Sequence, residues 1–201
     1  MIIKFYRYLI PIMIALLCGC QSVPTNEQIE KSSEIKAERY LEKGIASEKQ
    51  GNMDIAVLYY TLANRLKKDL WQAYYRRGNI HFDRFEQEQA IDCYSQVLIL
   101  QPEHHNALFN RALAYLAINQ AQAARDDLLK LLQTKPEDFE SELKLGIIYL
   151  DYLNQPQKAR NHFERYLTLG GPNLEVREWL REIQADPSPD ISHPEKREQQ
   201  P

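Results

Sequence analysis

A spacing of 34 residues runs through most of this 201-residue chain. Counted from Ala37, Trp71, His105 and Phe139, it brings Gly44, Gly78, Ala112 and Gly146 to the eighth place of successive units. Ala56, Ala90 and Ala124 fall at the twentieth place, and Ala159 joins them after a slip of one residue. Tyr60, Tyr94, Leu128 and Phe163 follow four residues later. Pro102 and Pro136 hold the place near the end of the unit, Lys68 stands there in the first, and Pro172 closes the fourth. A period of this length marks an array of small supersecondary units, none able to bury its apolar face alone.

Each unit holds two apolar stretches of helical period, separated by polar turns at Gln50-Gly51-Asn52, Arg84 to Glu86, Asn119-Gln120 and Asn154-Gln155-Pro156. Small residues at two places remove bulk where paired helices come closest, and the larger side chain four residues on fills the space beside them. Proline cannot continue a helix interior, so it ends the second helix of a unit. Leu174 to Ile183, LEVREWLREI, reads as a ninth, amphipathic helix that covers the last apolar face. The expected fold is an all-α solenoid: four helix-turn-helix units over 37–185, closed by a capping helix.

Composition permits this. Hydrophobic residues make up 44% of the chain, enough for a core. Lys and Arg number 25 against 28 Asp and Glu, a formal net charge of −3, so the basic footprint of a nucleic-acid binder is missing. Three cysteines exclude a disulfide scaffold.

The pattern resembles the tetratricopeptide repeat over about two-thirds of the chain, most clearly in YYRRGNIHFDRFEQEQAIDCYSQVLILQP. The resemblance implies that Arg77 and Arg111, at a normally apolar place, reach an acid on the second helix. Asp127 is the expected partner of Arg111, and Asp92 a looser candidate for Arg77. It also implies a concave surface lined by the first helix of each unit. The lining places are Leu41 and Ile45; Tyr75, Asn79, Phe82 and Asp83; Asn106, Phe109, Leu113 and Leu116; and Leu143, Ile147, Leu150 and Asp151. Most are apolar, and a large exposed apolar surface usually marks an interaction site. Coverage by the superhelix itself, by the chain's own ends or by a second copy is the alternative. Leu41 and Ile45 stand where a carboxylate-gripping tetratricopeptide domain would need Lys and Asn, so capture of a C-terminal carboxylate is not expected.

The N-terminus reads MIIKFYRYLIPIMIALLCGCQS. Lys4 and Arg7 precede a short apolar run of signal-peptide size. Leu17-Cys18-Gly19-Cys20 resembles the bacterial lipobox, which implies removal of residues 1–19 and acylation of Cys20. Gln21 at the next position implies sorting to the outer membrane, facing the periplasm. Cys20 to Lys36 reads as a flexible tether, helical at most near its end, and 186–201, with four prolines, as a disordered tail.

His81, His104, His105, His162 and His193 lack the spacing of metal ligands, and His104-His105 reads as a solvated turn. Cys93 reads as a packing residue. No nucleophile motif or phosphate loop is visible, so neither catalysis, metal nor cofactor is expected beyond the lipid on Cys20. The expected protein is a non-catalytic scaffold docking another cell-envelope protein. It resembles tetratricopeptide lipoproteins that gather peptidoglycan hydrolases, with FNRALAYLAINQAQAARDDLLKLLQ carrying that likeness, or the pilotins that assist an outer-membrane secretin.

Overall fold

In a computed structural model residues 25–171 and 174–185 are described, and among them are nine α-helices and no strand. The expected leader and Cys20, Pro172 and the expected tail 186–201 lie outside the described residues. The helices are α1 (Asn26–Lys49), α2 (Met53–Leu66), α3 (Trp71–Asp83), α4 (Gln87–Leu100), α5 (His105–Ala117), α6 (Ala121–Thr134), α7 (Phe139–Ile147), α8 (Pro156–Thr168) and α9 (Leu174–Ala185). Successive pairs form four hairpins stacked in chain order, and α9 lies on α8.

Within each hairpin the close approach is made where the repeat demands it. A Cβ on Gly44 would sit 2.3 Å from the Tyr60 ring, one on Gly78 2.8 Å from Tyr94, and one on Gly146 2.3 Å from Phe163. The third unit solves the same contact with Ala112 and the smaller Leu128, both fully buried. The sum of the two side chains, rather than either alone, is what the hairpin fixes.

The turn between paired helices recurs in all four units. Gly51, Phe85, Asn119 and Asn154 occupy the same slot, each with positive φ, at 78°, 60°, 64° and 48°. In all four the next residue's N–H reaches back over the turn: Asn52 to Ser47, Glu86 to His81 and Gln120 to Tyr115 at 2.9, 2.9 and 2.8 Å, and Gln155 to Tyr149, one residue further back, at 2.7 Å. These bonds satisfy the last carbonyls of the first helix. Glycine and asparagine tolerate this conformation; Phe85 does not, and it is 86% exposed.

Joints between units also repeat. Lys67, Gln101 and Lys135 bond to Ala63, Val97 and Leu131, and Leu70, His104 and Asp138 then bond back to Lys67, Gln101 and Lys135. The first joint has this form with Lys68 in place of proline, so proline is not what shapes it.

One expectation is corrected here, and one slip in the repeat is explained. Residues 26–36, read as tether, are the first three turns of one continuous helix. Thr25 and Gln28 form a reciprocal capping box at its start, and the Glu, Gln and Lys that follow are good helix formers. Lys67 ties the stretch down through ion pairs to Glu34 and Glu38. The one-residue slip in the fourth unit is absorbed as a π-helical turn, Ile148–Tyr152, continuing α7. Such a turn holds one extra residue without breaking the helix.

Candidate functional site

Arginines bind the units to one another. Arg111 donates from Nε and Nη2 to the two oxygens of buried Asp127 at 2.8 and 2.7 Å, and from Nη1 to Ser95 Oγ of the preceding unit at 2.9 Å. Arg77 stands in the same place but turns to Cys93 Sγ and to Thr61 Oγ1 of the preceding unit, both at 3.2 Å. Asp92 is exposed and is not its partner. The sequence reading missed that the acid-bearing slot of the third unit holds Cys93 in the second. Burial raises the Cys93 thiol above its ordinary range, against the pull of the Arg77 charge. Both arginines are therefore structural cross-braces.

The lining residues expected for the concave surface gather on the first helices, but as a surface half-closed by its own packing. Leu41 and Ile45 pack on the first core cluster, Tyr75 and Phe82 on the second, and Phe109 on the second and third. Leu116, Leu143 and Ile147 also pack on the third, and Leu113 is half-buried. Leu150 does not belong to the surface: it is 7% exposed and part of the core. The π turn is the cause, because its extra residue shifts everything after Ile148 by one place and turns Leu150 inward.

What remains open is more polar than the sequence suggests. Tyr94 donates its hydroxyl to Asn79 Oδ1 at 2.9 Å, and Asn110 Nδ2 reaches the same oxygen at 3.2 Å and the Tyr75 hydroxyl at 3.4 Å. Burial pushes the Tyr94 hydroxyl far above its ordinary range, so it stays a donor. Beside this bridge Tyr75, His105, Asn106, Phe109, Asn110 and Leu131 line a cleft of about 150 Å³, rimmed by Lys135, Asp138 and Glu140. Burial raises the Asp138 carboxyl, but Lys135 and two donors from Ser141 outweigh it and hold it below its ordinary value. The rim thus carries both signs of charge at neutral pH.

His104 is not the solvated turn residue expected. Its Nδ1 accepts the Ala107 N–H at 3.1 Å as the cap of α5, and its ring lies 4.9 Å from Trp71 and 5.0 Å from Tyr75. Burial lowers its pKa. In the fourth unit Glu142, buried, bonds to His162 Nδ1 and Arg165 Nε, each at 2.6 Å. No signal in the repeat marks that acid as internal. Among the described residues no group of three or more His, Cys, Asp or Glu could hold a metal ion, and no helix is long and apolar enough to cross a membrane.

Residues 71–104 and 106–137 each match the tetratricopeptide repeat family. The chain is similar to the transcription factor tau 131 kDa subunit of Saccharomyces cerevisiae, 27% identical over 153 residues. That match takes in 76% of this chain and 14% of the yeast protein, so the chain spans about a seventh of its length. In fold it is similar to MamA of Desulfovibrio magneticus RS-1, with a TM-score of 0.66 and 21% identity, covering 75% of this chain and 84% of that one. It is also similar to the first tetratricopeptide domain of Spaghetti (RPAP3) bound to the HSP90 peptide SRMEEVD. There the TM-score is 0.54 at 24% identity, over 59% of this chain and 94% of the other. In its described residues the chain is a tetratricopeptide-repeat protein, an all-α array of stacked helical hairpins.

Proposed function

We propose that the protein is a non-catalytic scaffold, anchored by a lipid on Cys20 to the periplasmic side of the outer membrane, and that its concave face holds an extended segment of another envelope protein. Peptidoglycan hydrolases are the first class of partner. The observation that carries the reading is the cleft across α3, α5 and the start of α7, where amides and aromatic rings alternate. An extended chain offers main-chain donors and acceptors together with alternating side chains. Asn106 and Asn110 suit the former and Tyr75 and Phe109 the latter, while the two-signed rim of Lys135 and Glu140 suits a segment carrying charge of either kind.

Photo-crosslinking from Asn106 in intact cells, followed by mass spectrometry, tests this. Recovery of a peptidoglycan-cleaving enzyme, lost in a Leu113→Asp variant of unchanged helicity, is the expected result. Recovery of a secretin instead replaces the partner class with that of a pilotin, and an absence of crosslinked protein removes the concave face from the function. Cys20→Ser is expected to release the protein from membranes.

A further inference from the structure

The outer flank of the first hairpin differs from the matching flank of the second and third units. On α2 the side facing α3 is marked by Thr61, bonded to Arg77, and by Asn64, bonded to the Leu70 carbonyl. At 100° per residue, Ile55, Leu58, Tyr59 and Leu62 form one strip, with Leu58 at its edge toward Thr61 and Tyr59 at its edge toward α1. Ile55 is 47% and Leu58 55% exposed. The repeat does not require this strip: where the first unit has Ile55, Leu58 and Leu62, the second has Gln89, Asp92 and Gln96, and the third Ala123, Asp126 and Lys130.

The adjoining flank of α1 is basic. Tyr40 stacks on Tyr59 with ring centroids 6.0 Å apart, and Lys43 Nζ lies 5.9 and 5.7 Å from the two rings. The same helical turn geometry puts Lys36 and Arg39 on this side, next to exposed Ile35. Three of the α1 carboxylates are neutralised elsewhere, Glu34 and Glu38 by Lys67 and Glu48 by Arg76, while Glu42 stands at the edge of this flank beside Ile35.

An apolar strip, a pair of tyrosines and a flanking row of cations are the elements of a surface that lies in the headgroup region of a bilayer. Sequence distance adds to the chemistry. Cys20 precedes Asn26 by six positions, so a lipid on that residue holds the start of α1 within about 20 Å of the membrane. Because α1 is one helix from Asn26 to Lys49, about 36 Å long, the first hairpin pivots as one body about that short link, and a contact along its flank is what fixes the angle. We infer that the outer flank of α1 and α2 is a second membrane contact, resting on anionic phospholipid so that the solenoid is held at a fixed attitude. This rests on the lipid-anchor reading above.

The test uses the full acylated chain in vesicles of phosphatidylethanolamine and phosphatidylglycerol. A polarity-sensitive fluorophore is placed at Leu58→Cys or, as the matched site of the second unit, at Asp92→Cys. With Cys93 buried and Cys20 acylated, the introduced thiol is the accessible one. Spin-labelled lipid is expected to quench the label at 58 at least about twofold more than the label at 92, and Lys36→Glu with Lys43→Glu to abolish the difference. Equal quenching at both sites, in protein that floats with the vesicles, overturns the inference and leaves the anchor standing. A blue-shifted label at 58 that lipid does not quench, with crosslinks between copies through that residue, assigns the flank to a second copy and overturns it too. Protein that carries no acyl group and does not float overturns both readings.

Discussion

At the scale of single residues the array is held by substitutions that compensate within one slot. Glycine faces a six-membered ring in three units, and alanine faces leucine in the other. Arg111 meets a carboxylate where Arg77 meets a thiol, and each also grips a hydroxyl of the unit before it. Not every slot is compensated. Phe85 holds the left-handed turn position that glycine or asparagine takes elsewhere, at φ 60° and almost fully exposed, with no burial to offset the clash of its Cβ. Phe85→Gly is therefore expected to stabilise the fold by about 1 kcal/mol, read as a higher denaturant midpoint at unchanged slope. The candidate site behaves likewise. Tyr75, Phe109 and Leu113 were legible as lining from their place in the repeat, whereas the hydrogen bonds joining Asn79, Tyr94 and Asn110 depend on distances no spacing conveys.

At the scale of elements the joints decide how units are set against each other. His104 caps α5 while its ring fills the corner between Trp71 and Tyr75. Its pKa is lowered in the folded protein, so on acidification the unfolded chain takes up the proton first. The stability this residue supplies is complete above its ordinary value near 6.5 and drains away as pH falls below it. His104→Asn keeps a good capping residue and is expected to flatten the decline in melting temperature between about pH 7 and 5. A decline equally steep in the variant assigns the acid sensitivity elsewhere. The π turn of α7 is the other element-scale device. The late arrival of Ala159 disclosed an extra residue, but not that it would be wound into a helix and carry Leu150 from the surface into the core.

At the scale of the whole molecule the structure is a line of neighbours, and its last apolar face is closed by α9. Val176, Trp179 and Ile183 are buried, with the Trp179 ring 5.3 Å from Phe163. Trp179→Ala is expected to cost about 3 kcal/mol. Because each unit touches only those beside it, hydrogen exchange should quicken in α8 and α9 while α3 to α5 stay protected. Uniform quickening would show the array to melt as one body. The same linearity explains how much the sequence by itself determined. A repeating contact writes a repeating pattern, so the fold class and the hairpins could be read from the 34-residue spacing, the cap from the amphipathic stretch Leu174 to Ile183, and a first-helix surface was expected from the family resemblance. Tertiary structure decided what the repeat leaves free: the helical start of α1, the inward turn of Leu150, the polarity of the concave cleft and the apolar outer flank of the first hairpin. These lie where a helix end, an inserted residue or an unstacked face makes one unit unlike the next, and there periodicity carries no information.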